Sequence, residues 1–125
     1  MHWLQWMILG LILFLLIKPF LPNRWLTNLT PTQVKDLLKK PQEFQFIDVR
    51  EPFEYKNGHI KGIKNIPMSQ LSQRQQEISH DRAIVITCQS GFRSKRAAKI
   101  LKRSKFKNLS HLERGVNSWE GKLSK

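Results

Sequence analysis

Only one cysteine, Cys88, occurs in the 125 residues, and this scarcity excludes an intramolecular disulfide and any multi-cysteine metal site. A relay that ends in a disulfide must therefore recruit a second molecule. Acidic residues are also few, 9 against 22 lysines and arginines, which leaves a formal net charge of +13. Such a surplus suits anionic partners, a membrane surface or nucleic acid. No recognition helix, zinc-ligand spacing or aromatic-studded RNA motif accompanies it, so no nucleic-acid partner is expected. Internal repeats and low-complexity tracts are absent as well. The length allows one domain of ordinary size and leaves no room for a second catalytic domain.

Charge of either sign is missing from Trp3 to Ile17, and this apolar stretch runs into Lys18-Pro19-Phe20-Leu21-Pro22-Asn23-Arg24-Trp25. The pattern predicts a membrane anchor over residues 1–22, one N-terminal transmembrane helix with lipid as its partner. It is short: the uncharged stretch gives ~22 Å of helix against a hydrocarbon core of about 30 Å, so Met1, His2 and a snorkelling Lys18 must help. Trp3 and Trp6 at one end and Trp25 at the other are placed like interfacial aromatics. A cleaved signal peptide would begin with positive charge and end in small residues, and neither is present. Lys18, Arg24 and Lys35 follow the stretch while no lysine or arginine precedes it, which puts the rest of the chain on the cytoplasmic side of a membrane. Pro19, Pro22 and Asn23 read as a stiff connection, and residues 23–28 as the linker to a domain over 29–125.

Within that domain, Thr30-Pro31 is a helix start, with threonine as N-cap and proline at the first helical position, and Val34, Leu37 and Leu38 supply the apolar face. Phe44 to Val49 and Ala83 to Thr87 read as buried strands, and Asn108 to Leu112 as a third. Pro52 opens a helical turn that Gly58 ends, and His59 to Pro67 reads as an ordered loop with a brief strand. Further helices are predicted from Ser69 toward Ile78, from Ser94 to Arg103 and from Val116 to Lys122. Alternating strands and helices imply an α/β fold with a parallel sheet. Lys95, Arg96, Lys99, Lys102 and Arg103 make the helix after Cys88 basic around a stripe of Ala97, Ala98, Ile100 and Leu101.

The run Ile84-Val85-Ile86-Thr87-Cys88-Gln89-Ser90-Gly91-Phe92-Arg93-Ser94 ends an apolar strand on the cysteine and turns directly into that helix. The first turn of a helix leaves N–H groups unpaired and carries the positive dipole end, so it favours an anionic sulfur. Gly91 lets successive amides point inward, and Arg93 adds a fixed cation. A lone cysteine is by default a buried structural residue; the ordered set of strand, Cys, Gly, Arg and helix points instead to a nucleophile. In a parallel sheet the carboxyl ends of the strands bind ligands, and Asp48 and Cys88 both fall at such ends.

The loop Cys88 to Ser94, with Ile47-Asp48-Val49-Arg50-Glu51-Pro52-Phe53-Glu54-Tyr55 and Gly58-His59-Ile60-Lys61-Gly62-Ile63-Lys64-Asn65-Ile66-Pro67, resembles the single-domain rhodanese-like sulfurtransferases over about Leu29 to Trp119. The resemblance implies a twisted, mainly parallel sheet flanked by helices and a catalytic Cys88 that carries sulfur as a persulfide. It implies an active-site loop of Gln89, Ser90, Gly91, Phe92, Arg93 and Ser94, with Asp48 and Arg50 in support, and neither cofactor nor metal. The partners it implies are a small sulfur donor and a thiol acceptor, with no protein partner specified. Asp48 is expected to orient Arg50 or pin loop amides, Arg50 and Glu54 to form a structural ion pair, and His59 to be a hydrogen-bonded structural residue. Two departures stand out: Arg114-Gly115 where the family usually has Gly-Gly, and Ile63 where it usually has a small residue. Other classes compatible with the loop are a membrane-tethered, non-catalytic binding or sensor domain, and a cysteine phosphatase or arsenate reductase. Those last enzymes place five residues between Cys and Arg, where this chain has four.

Overall fold

The computed structural model describes residues 1–20 and 24–125. The apolar runs become strands β2 (Phe44–Asp48) and β4 (Ala83–Thr87), which pair in parallel at the middle of one five-stranded sheet. Outside them lie β1 (Leu26–Leu29), β3 (Lys64–Asn65) and β5 (Leu109–Leu112). The order is β1-β5-β4-β2-β3, and every pair is parallel. The helices are α1 (His2–Ile17), α2 (Pro31–Leu37), α3 (Pro52–Lys56) and α4 (Phe92–Arg103).

Side chains alternate across β4, so its apolar residues feed two cores. Ile84 and Ile86 pack with Ala97, Ala98 and Leu101 of α4 on one face, while Val85 joins Val34 of α2, Ile60, Ile63 and Val116 on the other. Burial on both faces is why β4 reads as a continuous apolar run. Each fully buried Ile or Val stabilises the fold by roughly 1.5–3 kcal/mol. Helix α2 starts as expected: the Thr30 hydroxyl accepts from the Gln33 N–H at 3.3 Å, and the Gln33 side chain accepts from the Thr30 N–H at 2.9 Å.

Several expectations are corrected. No helix among the described residues is long and apolar enough to cross a membrane. Helix α1 has 16 residues, about 24 Å, so the predicted transmembrane helix over residues 1–22 is not seen. Of the stiff connection, Pro22 and Asn23 lie outside the described residues. Trp25 is not an interfacial aromatic: its ring is half-buried against the α4 core, with Lys102 Nζ 4.5 Å from the ring centroid. Residues 26–28, read as linker, belong to β1, which buries Leu26 and Leu29 and pairs with β5. Such a four-residue strand carries no alternation to announce it.

The helix predicted from Ser69 is instead two 3₁₀ turns, Met68–Gln70 and Gln75–Glu77, because only Leu71 and Ile78 in this stretch reach the core. The last helix is a single 3₁₀ turn, Val116–Ser118. Beyond it the chain runs extended, and Ser124 exchanges backbone hydrogen bonds with His59 at 2.8 and 2.9 Å. Helix α4 begins two residues earlier than predicted, at Phe92, since Gly91 caps it with φ +104°.

Candidate active site

Cys88 leaves the carboxyl end of β4 and is 1% exposed at the start of the turn into α4. Its Sγ accepts a hydrogen bond from the Gly91 N–H at 3.0 Å. The N–H groups of Phe92, Arg93 and Ser94 open α4 without intrahelical partners, so the sulfur sits beside the positive end of the helix. A second loop grips this one from behind. Val116 N–H donates to Cys88 O at 2.8 Å, Asn117 N–H to Gln89 O at 3.1 Å, and the Gln89 amide to Asn117 Oδ1. Contact is close enough to demand glycine on both sides. A Cβ on Gly91 would lie 2.0 Å from Glu113 O, and one on Gly115, at φ +66°, would lie 2.4 Å from Cys88 O. The Arg114 departure is thereby explained: of the two positions only that of Gly115 has a positive φ, and only there would a Cβ collide with Cys88 and Gln89.

Asp48, at the end of β2, and Arg50 form a buried network, 1% and 3% exposed. Asp48 Oδ1 accepts from the Arg50 backbone N–H at 3.0 Å, and the carboxylate takes Nε and Nη2 of the guanidinium at 2.8–3.1 Å. The same guanidinium donates to Gly58 O at 2.8 Å and to Gln89 Oε1 at 3.1 Å. Arg50 thus links the β2 end to the cysteine loop. The pairing with Glu54 expected for Arg50 does not occur. Glu54 pairs instead with Arg93, in a two-pronged contact at 2.6 and 2.8 Å, and the Arg93 hydrogen bonds hold its carboxyl down at about 2. His59 stacks on Tyr55 with centroids 3.8 Å apart, and its Nδ1 lies 2.8 Å from Tyr55 O, well occupied away from the sulfur. Of the loop residues, Gln89 and Ser94 are tied inward, whereas Phe92 is 76% exposed.

A buried chain that the sequence did not announce braces the loop from β5. Ser94 Oγ donates to Gly91 O at 2.9 Å and lies 2.7 Å from His111 Nδ1; His111 Nε2 lies 2.8 Å from the Asn28 side chain. Asn28 Oδ1 accepts from Nε2–H, so in the neutral ring Nδ1 is the acceptor, and the Ser94 hydroxyl shares its proton between Nδ1 and Gly91 O. Burial, with Lys95 nearby, pushes His111 down to about 4. An unfolded histidine titrates near 6.5. Between about 6.5 and 4 the unfolded chain therefore binds a proton that the folded one refuses. Stability should fall by roughly 3 kcal/mol as pH drops through that window and level off below it. Urea titrations of the wild type and His111→Asn at pH 7 and pH 4.5 check this: the variant should lose much less between the two, and equal losses would refute the assignment.

The profile of the rhodanese-like domain matches residues 30–122. The chain belongs to the rhodanese-like family. Its relatives include the uncharacterised protein YqhL of Bacillus subtilis, 37% identical over 90% of this chain and 86% of that one. The putative sulfurtransferase YtwF of the same organism is 30% identical over 75% of this chain and 90% of its own. A crystal structure of a rhodanese-related protein from Thermoplasma volcanium superposes with a TM-score of 0.66 at 29% identity, covering 74% of this chain and 89% of that one. This rhodanese-like domain shows no group of three or more metal-ligating side chains among the described residues.

Proposed function

We propose that the protein is a sulfurtransferase in which the Cys88 thiolate attacks the outer sulfur of thiosulfate or of a persulfide. The donor's S–S bond breaks, its remainder leaves with the electron pair, and Cys88 keeps a persulfide. Inward amides of Gln89 to Ser94 stabilise the terminal sulfur, and a thiol acceptor removes it in a second half-reaction, so kinetics should be ping-pong. The observation that carries this reading is the Cys88 Sγ held by the Gly91 N–H at the opening of α4. Intact-mass spectrometry of the full chain in detergent, with thiosulfate or glutathione persulfide, tests it. A gain of about 32 Da that a thiol or cyanide removes and that Cys88→Ser lacks is expected. No adduct with either donor refutes it and favours a non-catalytic sensor domain.

We also propose that α1 holds the domain at a membrane, with the basic domain on the cytoplasmic side. The support is that every residue from His2 to Ile17 is exposed on a helix without an acidic or basic side chain apart from His2. Flotation with anionic vesicles should carry the full chain upward and leave a chain beginning at Arg24 at the bottom of the gradient. Equal behaviour of the two would overturn the assignment.

A further inference from the structure

We infer that the natural sulfur donor is a persulfide borne on an acidic protein surface rather than a small inorganic dianion, a conclusion that rests on the sulfur-transfer reading. Both cations beside the sulfur are already engaged by carboxylates. Arg93 lies in its two-pronged contact with Glu54, and Arg50 in its contact with Asp48. The remaining variable loop positions, Gln89, Ser90 and Phe92, carry no charge. A thiosulfate dianion approaching the thiolate therefore meets backbone amides and two guanidiniums already paired, against three negative charges in one pocket. A protein perthiol brings at most one.

The rim points the same way. Beyond residues 1–17, the large hydrophobic side chains that stand exposed among the described residues are Phe53, Phe92 and Leu123, at 67%, 76% and 37%. Two of these three immediately precede the members of one ion pair, Phe53 before Glu54 and Phe92 before Arg93. That pair clamps the start of α3 to the start of α4, and so ties together the two turns that carry the exposed rings. Aromatic anchors around a recessed reactive group are the pattern of a protein docking site. The helix that Phe92 opens is basic, with Lys95, Arg96 and Lys99 exposed on its first two turns and Lys102 and Arg103 exposed at its far end. Charge complementarity thus selects an acidic partner.

In the transfer, the Cys88 thiolate attacks the sulfane sulfur of the partner's perthiol. The new Sγ–S bond forms as the partner's S–S bond breaks. The electron pair leaves on the partner's cysteine sulfur, which takes the perthiol proton, and no external oxidant or reductant is needed.

The test compares three donors on the full chain in detergent: a cysteine-persulfide peptide flanked by Asp and Glu, the same peptide flanked by Lys, and thiosulfate. Loading of Cys88 is followed by intact mass. With each rate divided by that of the same peptide toward free glutathione, which removes the effect of flanking charge on sulfur reactivity, the acidic one should load faster by on the order of tenfold at low salt, with the advantage fading as salt rises. Joint replacement of Phe53→Ser and Phe92→Ser should lower the peptide-to-thiosulfate rate ratio by roughly tenfold or more. Glu54→Gln, which frees Arg93, should raise the thiosulfate rate. Thiosulfate loading as fast as the acidic peptide, or a ratio that the two Phe replacements leave unmoved, would overturn the inference while the sulfur-transfer reading stood. Loading by none of the three donors would instead remove the sulfur-transfer reading itself, and this inference with it.

Discussion

Asp48→Ala should destabilise the domain by about 3–5 kcal/mol, the largest effect expected of any substitution outside the apolar core. The reason is the partner left behind. Arg50 is 3% exposed, and its Nε and one Nη2 hydrogen are aimed at the Asp48 carboxylate. Without that carboxylate the guanidinium keeps its charge in a site sealed from water, with only Gly58 O and Gln89 Oε1 as acceptors. Uncompensated charge in such a place costs far more than the intact pair contributes. The double replacement Asp48→Leu with Arg50→Met should accordingly recover most of the loss, although it severs the tether to Gln89. Urea unfolding of the three chains reads the energies, and sulfur loading of Cys88 reads the tether. A double variant no more stable than Asp48→Ala would show that packing, not charge, is what Asp48 supplies.

Gly91→Ala should both destabilise the fold, by at least about 2–3 kcal/mol, and abolish sulfur loading. Two penalties coincide there. The residue sits at φ +104°, and an added Cβ would lie 2.0 Å from Glu113 O, a backbone atom that cannot swing away. Relief requires the loop to part from the turn that follows β5, and that displaces the N–H held on Cys88 Sγ. Gly62 provides the comparison. It has a similar φ, +96°, but its added Cβ would only touch a Leu38 methyl at 3.4 Å. Gly62→Ala should therefore show the conformational penalty alone and load sulfur normally. If the two variants behaved alike, backbone strain would explain both, and the close approach of the two loops would be irrelevant to the sulfur.

The parts of the site that could be read in advance are those written in contiguous residues. The strand-Cys-Gly-Arg-helix order and the Thr30-Pro31 start depend on neighbours within one turn, where spacing alone dictates geometry. Pairing of charges did not follow from spacing. Arg50 and Glu54 lie four apart and suggest a helical ion pair, yet Arg50 precedes α3 and turns inward to Asp48, leaving Glu54 free to reach Arg93 on α4. The brace of Ser94, His111 and Asn28 joins three elements separated by up to 83 positions, and nothing local marks it. Strand β1 escaped because four residues, Leu26-Thr27-Asn28-Leu29, show no alternation; only pairing with β5 makes them a strand.

By itself the sequence determined the class of the fold and the order of strand, cysteine and helix, because apolar periodicity, a capping threonine and a cysteine before a helix act over a few residues. It also excluded disulfide and multi-cysteine chemistry by the simple count of one thiol. The tertiary structure decided which carboxylates hold Arg50 and Arg93, why Gly91 and Gly115 admit no side chain, and that the turns carrying Phe53 and Phe92 are tied by one ion pair. Those outcomes depend on which distant segments the parallel sheet brings into contact, and such contacts are set by burial of the whole chain rather than by any local preference.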